Sequence, residues 1–182
     1  YRSGSDIQDS WQSIKEIATS QMDMEKFSGP YCHNDLDMLV VGMYGRSHNS
    51  TIAVNGGCTT EEYRTHFSLW AMMNSPLMIG CDIRNMDEAT RRILLNKAVI
   101  ALNQDESCHQ AYIASNPLQA FGTNEKKVMP RTDRQPEDPF YDYSEYCLSR
   151  TVMVRYLADG DIAVIRLNFR DHETSDAPMV IT

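Results

Sequence analysis

The stretch Gly29-Pro30-Tyr31-Cys32-His33-Asn34-Asp35-Leu36-Asp37-Met38-Leu39-Val40-Val41-Gly42-Met43 decides how this chain is read. Its second part, Met38 to Met43, is a continuous apolar run between turn signals, the pattern of a strand buried on both faces in a parallel sheet. Upstream, Asp9 to about Ser28 reads as a helix: Trp11, Ile14, Ile17 and Ala18 share one face, and Gly29-Pro30 ends it. Downstream, Tyr44 to Gly57 is polar and loop-like. Thr59 or Thr60 can cap the next helix, and a Thr59 cap puts Glu62 at capping-box spacing. That helix carries Tyr63, Phe67, Trp70, Ala71 and Asn74 at a period of 3.6 residues and stops at Pro76. Leu77 to Cys81 is a second short apolar run, expected as a buried strand. Asp87 can cap a third helix with Ala89, Ile93, Leu94 and Ala98 inward.

Residues 1–105 therefore run helix, strand, helix, strand, helix, with Tyr1 to Asp6 as the end of an earlier strand. Strands alternating with helices make βα units, so the fold class is α/β. Three such units cannot close a sheet alone; they read as part of a doubly wound sheet or of a (β/α)₈ barrel. Residues 106–182 have a different texture. Pro130 to Tyr146 is polar, acidic and proline-rich, with Tyr141, Tyr143 and Tyr146. Val152 to Leu157 and Ile162 to Asn168 flank Ala158-Asp159-Gly160-Asp161, which predicts a hairpin. Val180-Ile181-Thr182 reads as a further strand, so this second unit is expected to be antiparallel β.

The 182 residues carry 17 Lys and Arg against 25 Asp and Glu, a net charge of −8. An acidic chain lacks the basic face that nucleic acid requires. The apolar share of 42% supports a packed core. The apolar stretch Leu69 to Gly80 is interrupted by Asn74-Ser75-Pro76 and is too short to cross a bilayer, so no membrane partner is expected. Five widely spaced cysteines (Cys32, Cys58, Cys81, Cys108 and Cys147) do not form a disulfide scaffold or a zinc set and read as free thiols. No Cys-x-x-Cys, P-loop or glycine-rich dinucleotide motif is present, and no cofactor is expected. The opening residues Tyr1-Arg2-Ser3-Gly4-Ser5-Asp6 show neither a leader nor an initiating Met. A processed or excised piece is the expectation, with a cytoplasmic setting guessed from the thiols.

Polar residues past the C-terminal ends of parallel strands are the candidates for chemistry. They are Arg2 with Asp6, the His33-Asn34-Asp35-Leu36-Asp37-Met38 segment, and Asp82 with Arg84. Each has a plainer reading. Asp6 could cap the helix that follows, Asp35 and Asp37 could form turns, and Asp82 could close an Asx-turn. His33 reads as a hydrogen-bonded structural residue, because no second ligand sits at metal-binding spacing. Several aspartates beside an arginine suit a hydroxyl-rich ligand and the carboxylate chemistry of glycoside hydrolysis.

At these residues the chain resembles glycoside hydrolase family 27, the α-galactosidases and α-N-acetylgalactosaminidases. Tyr1 through Trp11 resembles the family segment W-R-x-x-x-D-I-x-D-x-W, and Gly29 through Leu39 resembles G-P-x-x-W-N-D-P-D-M-L. Leu69-Trp70 through Pro76-Leu77, then Asp82-Ile83-Arg84, resembles L-W-x-x-x-x-x-P-L followed by D-L-R. Val99 through Asp105 resembles V-I-A-I-N-Q-D. The resemblance implies the C-terminal part of a (β/α)₈ barrel, strands six to eight, over residues 1–105, and the start of an antiparallel β-sandwich over 106–182, truncated at both ends. It implies a retaining hydrolase acting on terminal α-linked galactose of an oligosaccharide or glycoconjugate. Asp6 matches the general acid/base, and Arg2 the arginine that holds the sugar. Asp37 and Met38 match pocket residues. His33 stands where the family has Trp, a further candidate for shaping the substrate pocket, and Leu36 where it has Pro. The nucleophile's strand has no counterpart in these residues, so the isolated chain is expected to be inactive, and to self-associate or to pair with the missing barrel portion. The alternatives are an α-N-acetylgalactosaminidase, or a non-catalytic carbohydrate-binding module derived from the barrel.

Overall fold

The computed structural model describes residues 2–47, 52, 54, 56–115 and 151–167. Helix α1 (Trp11–Gln21) starts at Ser10, whose hydroxyl accepts the Ser13 N–H at 3.3 Å. It buries Ile14, Ile17 and Ala18, as the periodicity requires. It ends at Gln21 rather than near Ser28, and only a single 3₁₀ turn (Glu25–Phe27) follows.

Helix α2 (Thr60–Met72) opens with a complete capping box. Thr59 accepts from Glu62 N–H at 3.3 Å, and the Glu62 carboxylate accepts the Thr59 N–H at 2.6 Å. Tyr63, Phe67, Trp70 and Ala71 are all buried. The expected third helix is two: α3 (Glu88–Leu94), capped by Asp87, and α4 (Lys97–Asn103), capped by Asn96. The Asn96 side chain takes the N–H groups of Ala98 and Val99 and restarts the helix there, leaving Ala98 exposed rather than inward.

The two expected buried strands are shorter than the apolar runs suggest. Arg2 pairs with Asp35 and Leu39 with Ile79, both parallel, as isolated bridges. Between the two bridges Asp37 has φ +79°, which breaks the extended backbone, and Gly42 at φ +79° ends the run. Leu39, Val40 and Val41 are fully buried, but Met78 and Ile79 are half exposed, contrary to expectation.

The predicted hairpin is present. Strands β1 (Tyr112–Ser115), β2 (Val152–Tyr156) and β3 (Ile162–Arg166) form an antiparallel sheet in that order. Gly160 turns the hairpin at φ +92°, a conformation glycine adopts without a Cβ clash. The inner face of β2 carries Arg155, which is 1% exposed and donates to the carbonyl of Ala71 at 3.0 Å and to Asn74 Oδ1 at 3.2 Å, so it ties the sheet to the end of α2. Burial lowers the affinity of this guanidinium for its proton. The expectations for Pro130 to Tyr146 and for Val180 to Thr182 lie outside the described residues. Among the described residues no helix is long and apolar enough to cross a membrane. Cys32, Cys58, Cys81 and Cys108 are free thiols.

Candidate active site

Three of the predicted residues converge. Arg2 Nη2 donates to Asp37 Oδ2 at 2.8 Å and also contacts Asp6 Oδ1. One guanidinium nitrogen thus bridges two carboxylates that are 31 positions apart in sequence. Local geometry brings them together. Arg2 is held in the parallel bridge by Ser3 N–H donating to the Asp35 carbonyl at 2.9 Å. The turn after Arg2 is pinned from the neighbouring segment, because Ile7 N–H donates to Asp37 Oδ2 at 2.8 Å. Asp37 is itself clamped on both sides: its Oδ1 accepts Met38 N–H at 2.8 Å, and its carbonyl accepts the Trp70 indole N–H at 2.8 Å. Trp70 is fully buried on α2, so the helix holds the cluster from below.

Exposure grades across the cluster. The Asp37 side chain is 19% exposed, Arg2 39% and Asp6 80%. Asp6 lines a groove of about 290 Å³ with Ser5, Gln8, Gln12, Ser13, Glu16 and Ile17, where hydroxyls, amides and carboxylates alternate with apolar surface. Such a lining offers hydrogen bonds to a polyhydroxylated ligand. Ser10 takes the cap of α1, which leaves the Asp6 carboxyl free of that duty.

The other candidates lie elsewhere. Met38 is half-buried, and its side chain covers Gly80, where a Cβ would come within 3.1 Å of the sulfur. His33 does not join the cluster. Its Nδ1 meets Asn74 Nδ2 at 2.8 Å, beside a cavity of about 400 Å³ at the start of the extended segments, where Asn103, Asp105 and Cys108 also line the wall. Asp82 forms an Asx-turn, accepting Arg84 N–H at 3.0 Å, and a fork with the Arg84 guanidinium at 2.9 and 3.0 Å. That pair, with the turn's N–H, holds the Asp82 carboxyl well below the usual carboxylate range.

Sequence reasoning passed over Asp9. Its carboxylate is fully buried and accepts the Tyr63 hydroxyl at 2.8 Å and Gly45 N–H at 2.7 Å. Tyr63 in turn accepts Tyr44 N–H at 2.9 Å. Burial and this carboxylate push the Tyr63 phenol and the Cys58 thiol strongly up. The knot leaves no room for a side chain at Gly57, where a Cβ would sit 2.5 Å from Asp9 Oδ2. The sequence places Asp9 only at the start of the helix, and nothing in its neighbours along the chain signals its burial under Tyr63. Among the described residues no group of three or more His, Cys, Asp or Glu is arranged to hold a metal ion.

A family profile described as Alpha galactosidase A matches residues 1–105. The chain is 46% identical over 106 residues to an alpha-galactosidase of Cyamopsis tetragonoloba, covering 58% of this chain and 23% of that protein. It is 35% identical over 109 residues to an alpha-N-acetylgalactosaminidase of Gallus gallus, covering 58% and 24%. An alpha-galactosidase of Saccharomyces cerevisiae, solved with raffinose, superposes with a TM-score of 0.59 at 28% identity, covering 85% of this chain and 27% of that one. The chain thus spans about a quarter of the length of these curated relatives.

Proposed function

The chain belongs to the alpha galactosidase A family, and from that premise we propose that it is part of a retaining α-galactosidase-type glycoside hydrolase in which Asp6 is the general acid/base. The observation that carries this reading is the sharing of Arg2 between Asp6 and Asp37 at the ends of parallel segments. In the proposed reaction a carboxylate from outside these 182 residues attacks the anomeric carbon. Asp6 gives its proton to the leaving oxygen as the glycosidic C–O bond breaks. Asp6, now ionised, then takes a proton from water, whose oxygen displaces the enzyme carboxylate and frees galactose. The two carboxyl groups would stand about 5–5.5 Å apart. Arg2 pairs with the ionised Asp6 and keeps it aimed. Asp37 and Met38 line the galactose pocket, whereas His33, paired with Asn74 at a separate cavity, takes no part in it.

The proposed frame is the last three βα units of a (β/α)₈ barrel over 1–105, followed by the start of a β-sandwich over 106–182. The substrate class is a terminal α-galactoside of an oligosaccharide or glycoconjugate, in keeping with the raffinose held by the yeast relative. An N-acetylgalactosaminide is the second reading, favoured by the 35% identity to the Gallus gallus enzyme.

The test is a chimera in which residues 1–105 replace the matching segment of the Cyamopsis tetragonoloba enzyme. It should turn over nitrophenyl α-galactoside and raffinose, and Asp6→Asn should cut turnover of raffinose, whose leaving oxygen needs protonation, at least ~10²-fold. The 182-residue chain assayed alone should show none. An Asp6→Asn chimera as active as its parent overturns the assignment. Preference for the N-acetylgalactosaminide selects the second reading.

A further inference from the structure

The Arg2–Asp6–Asp37 cluster depends on a backbone conformation that aspartate seldom adopts. Asp37 sits at φ +79°, in the left-handed region where a Cβ crowds the chain. Asp35 is the residue that holds it there. Asp35 Oδ1 accepts the Asp37 N–H at 2.9 Å, which closes an Asx-turn. The backbone of Asp35 is engaged on its other side: its carbonyl accepts Ser3 N–H at 2.9 Å and the Ser3 hydroxyl at 3.3 Å, next to the bridge with Arg2. One residue thus grips the segment that carries Arg2 through its carbonyl, and the turn that carries Asp37 through its carboxylate. Turned this way, Asp37 can reach Ile7 N–H and Arg2 Nη2, both at 2.8 Å.

We propose that Asp35 is a positioning residue. Its Asx-turn keeps Asp37 left-handed, Asp37 keeps Arg2 in place, and Arg2 keeps Asp6 aimed. The device needs an acceptor oxygen at position 35, not a charge. Its functional meaning rests on the sugar-site reading above; its geometry does not.

The test uses NMR on the 182-residue chain with Asp35→Ala and Asp35→Asn. A left-handed residue brings its amide and alpha protons close and gives a strong intraresidue cross-peak. That peak at Asp37 should fall several-fold in Asp35→Ala, and the Arg2 guanidinium signals should move to those of a free side chain. Asp35→Asn, which retains an acceptor oxygen, should preserve both. A folded Asp35→Ala chain with both signatures intact overturns the proposal, as does Asp35→Asn losing as much as Asp35→Ala. Should Asp35→Ala fail to fold, it is added to Asp37→Gly, since glycine adopts this φ unaided. The pair should then fold as well as Asp37→Gly alone, and an undiminished penalty overturns the proposal. Galactose is titrated in parallel into the chimera that carries residues 1–105 in the Cyamopsis tetragonoloba enzyme, where the barrel is complete. Half-saturation by calorimetry should need about tenfold more galactose with Asp35→Ala than without it, one hydrogen bond's worth of affinity. Full affinity in the Asp35→Ala chimera overturns the proposal. The absence of any galactose binding by the unsubstituted chimera overturns the sugar-site reading, and the backbone signatures alone then decide the role of Asp35.

Discussion

His66 illustrates how burial sets the chemistry of a single side chain. It is fully buried, its Nε2 accepts Val40 N–H at 3.2 Å, and its ring meets Trp70 edge-on at 4.1 Å. The accepting Nε2 leaves the proton on Nδ1, which has no partner. Burial pushes its pKa down to about 3, from 6.5. The unfolded chain takes up this proton first, so the contribution is complete above pH 6.5 and is lost as pH falls from there toward 3. Stability should drop by about 2 kcal/mol between pH 7 and 5 from this group alone. Urea titrations at the two pH values check it, and His66→Gln, an acceptor that does not titrate, should flatten the difference. Equal midpoints for the unsubstituted chain would contradict the account. Asp6 and Asp9 teach the complementary lesson. Both are short carboxylates ahead of a helix, yet one is 80% exposed and the other fully buried against Tyr63.

Elements follow local rules where those rules are strong. The capping box at Thr59 and Glu62 satisfies two N–H groups of the first turn reciprocally, so the start of α2 was legible from spacing. Thr59→Ala should lower stability by about 1 kcal/mol in urea unfolding, with little change in the slope of the transition. The split between α3 and α4 was less legible. Ile93, Leu94 and Ala98 continue a helical period across Leu95 and Asn96, and only the Asn96 side chain, turned onto Ala98 and Val99, reveals the restart. The apolar runs at 38–43 and 77–81 advertise strands. Their pairing stops short because Asp37 and Gly42 leave the extended region.

For the molecule as a whole, Met78, Ile79, Ile83 and Leu95 place about half or more of their surface in solvent. Apolar area of this kind, beside a parallel segment paired through a single bridge, favours association. Sedimentation at rising concentration should show species larger than one chain, and Ile79→Glu should reduce them; a concentration-independent monomer would contradict this. Periodicity, caps and turn residues were readable from the chain alone, because each is settled by neighbours within a few positions. So were the order of helix and extended segment and the hairpin around Gly160. The meeting of Arg2 with Asp37, the separation of His33 from both, and the burial of Asp9 under Tyr63 belong to the tertiary structure. Those contacts join residues 35 to 54 positions apart, and their partners are chosen by which segments pack side by side. No local preference encodes that choice.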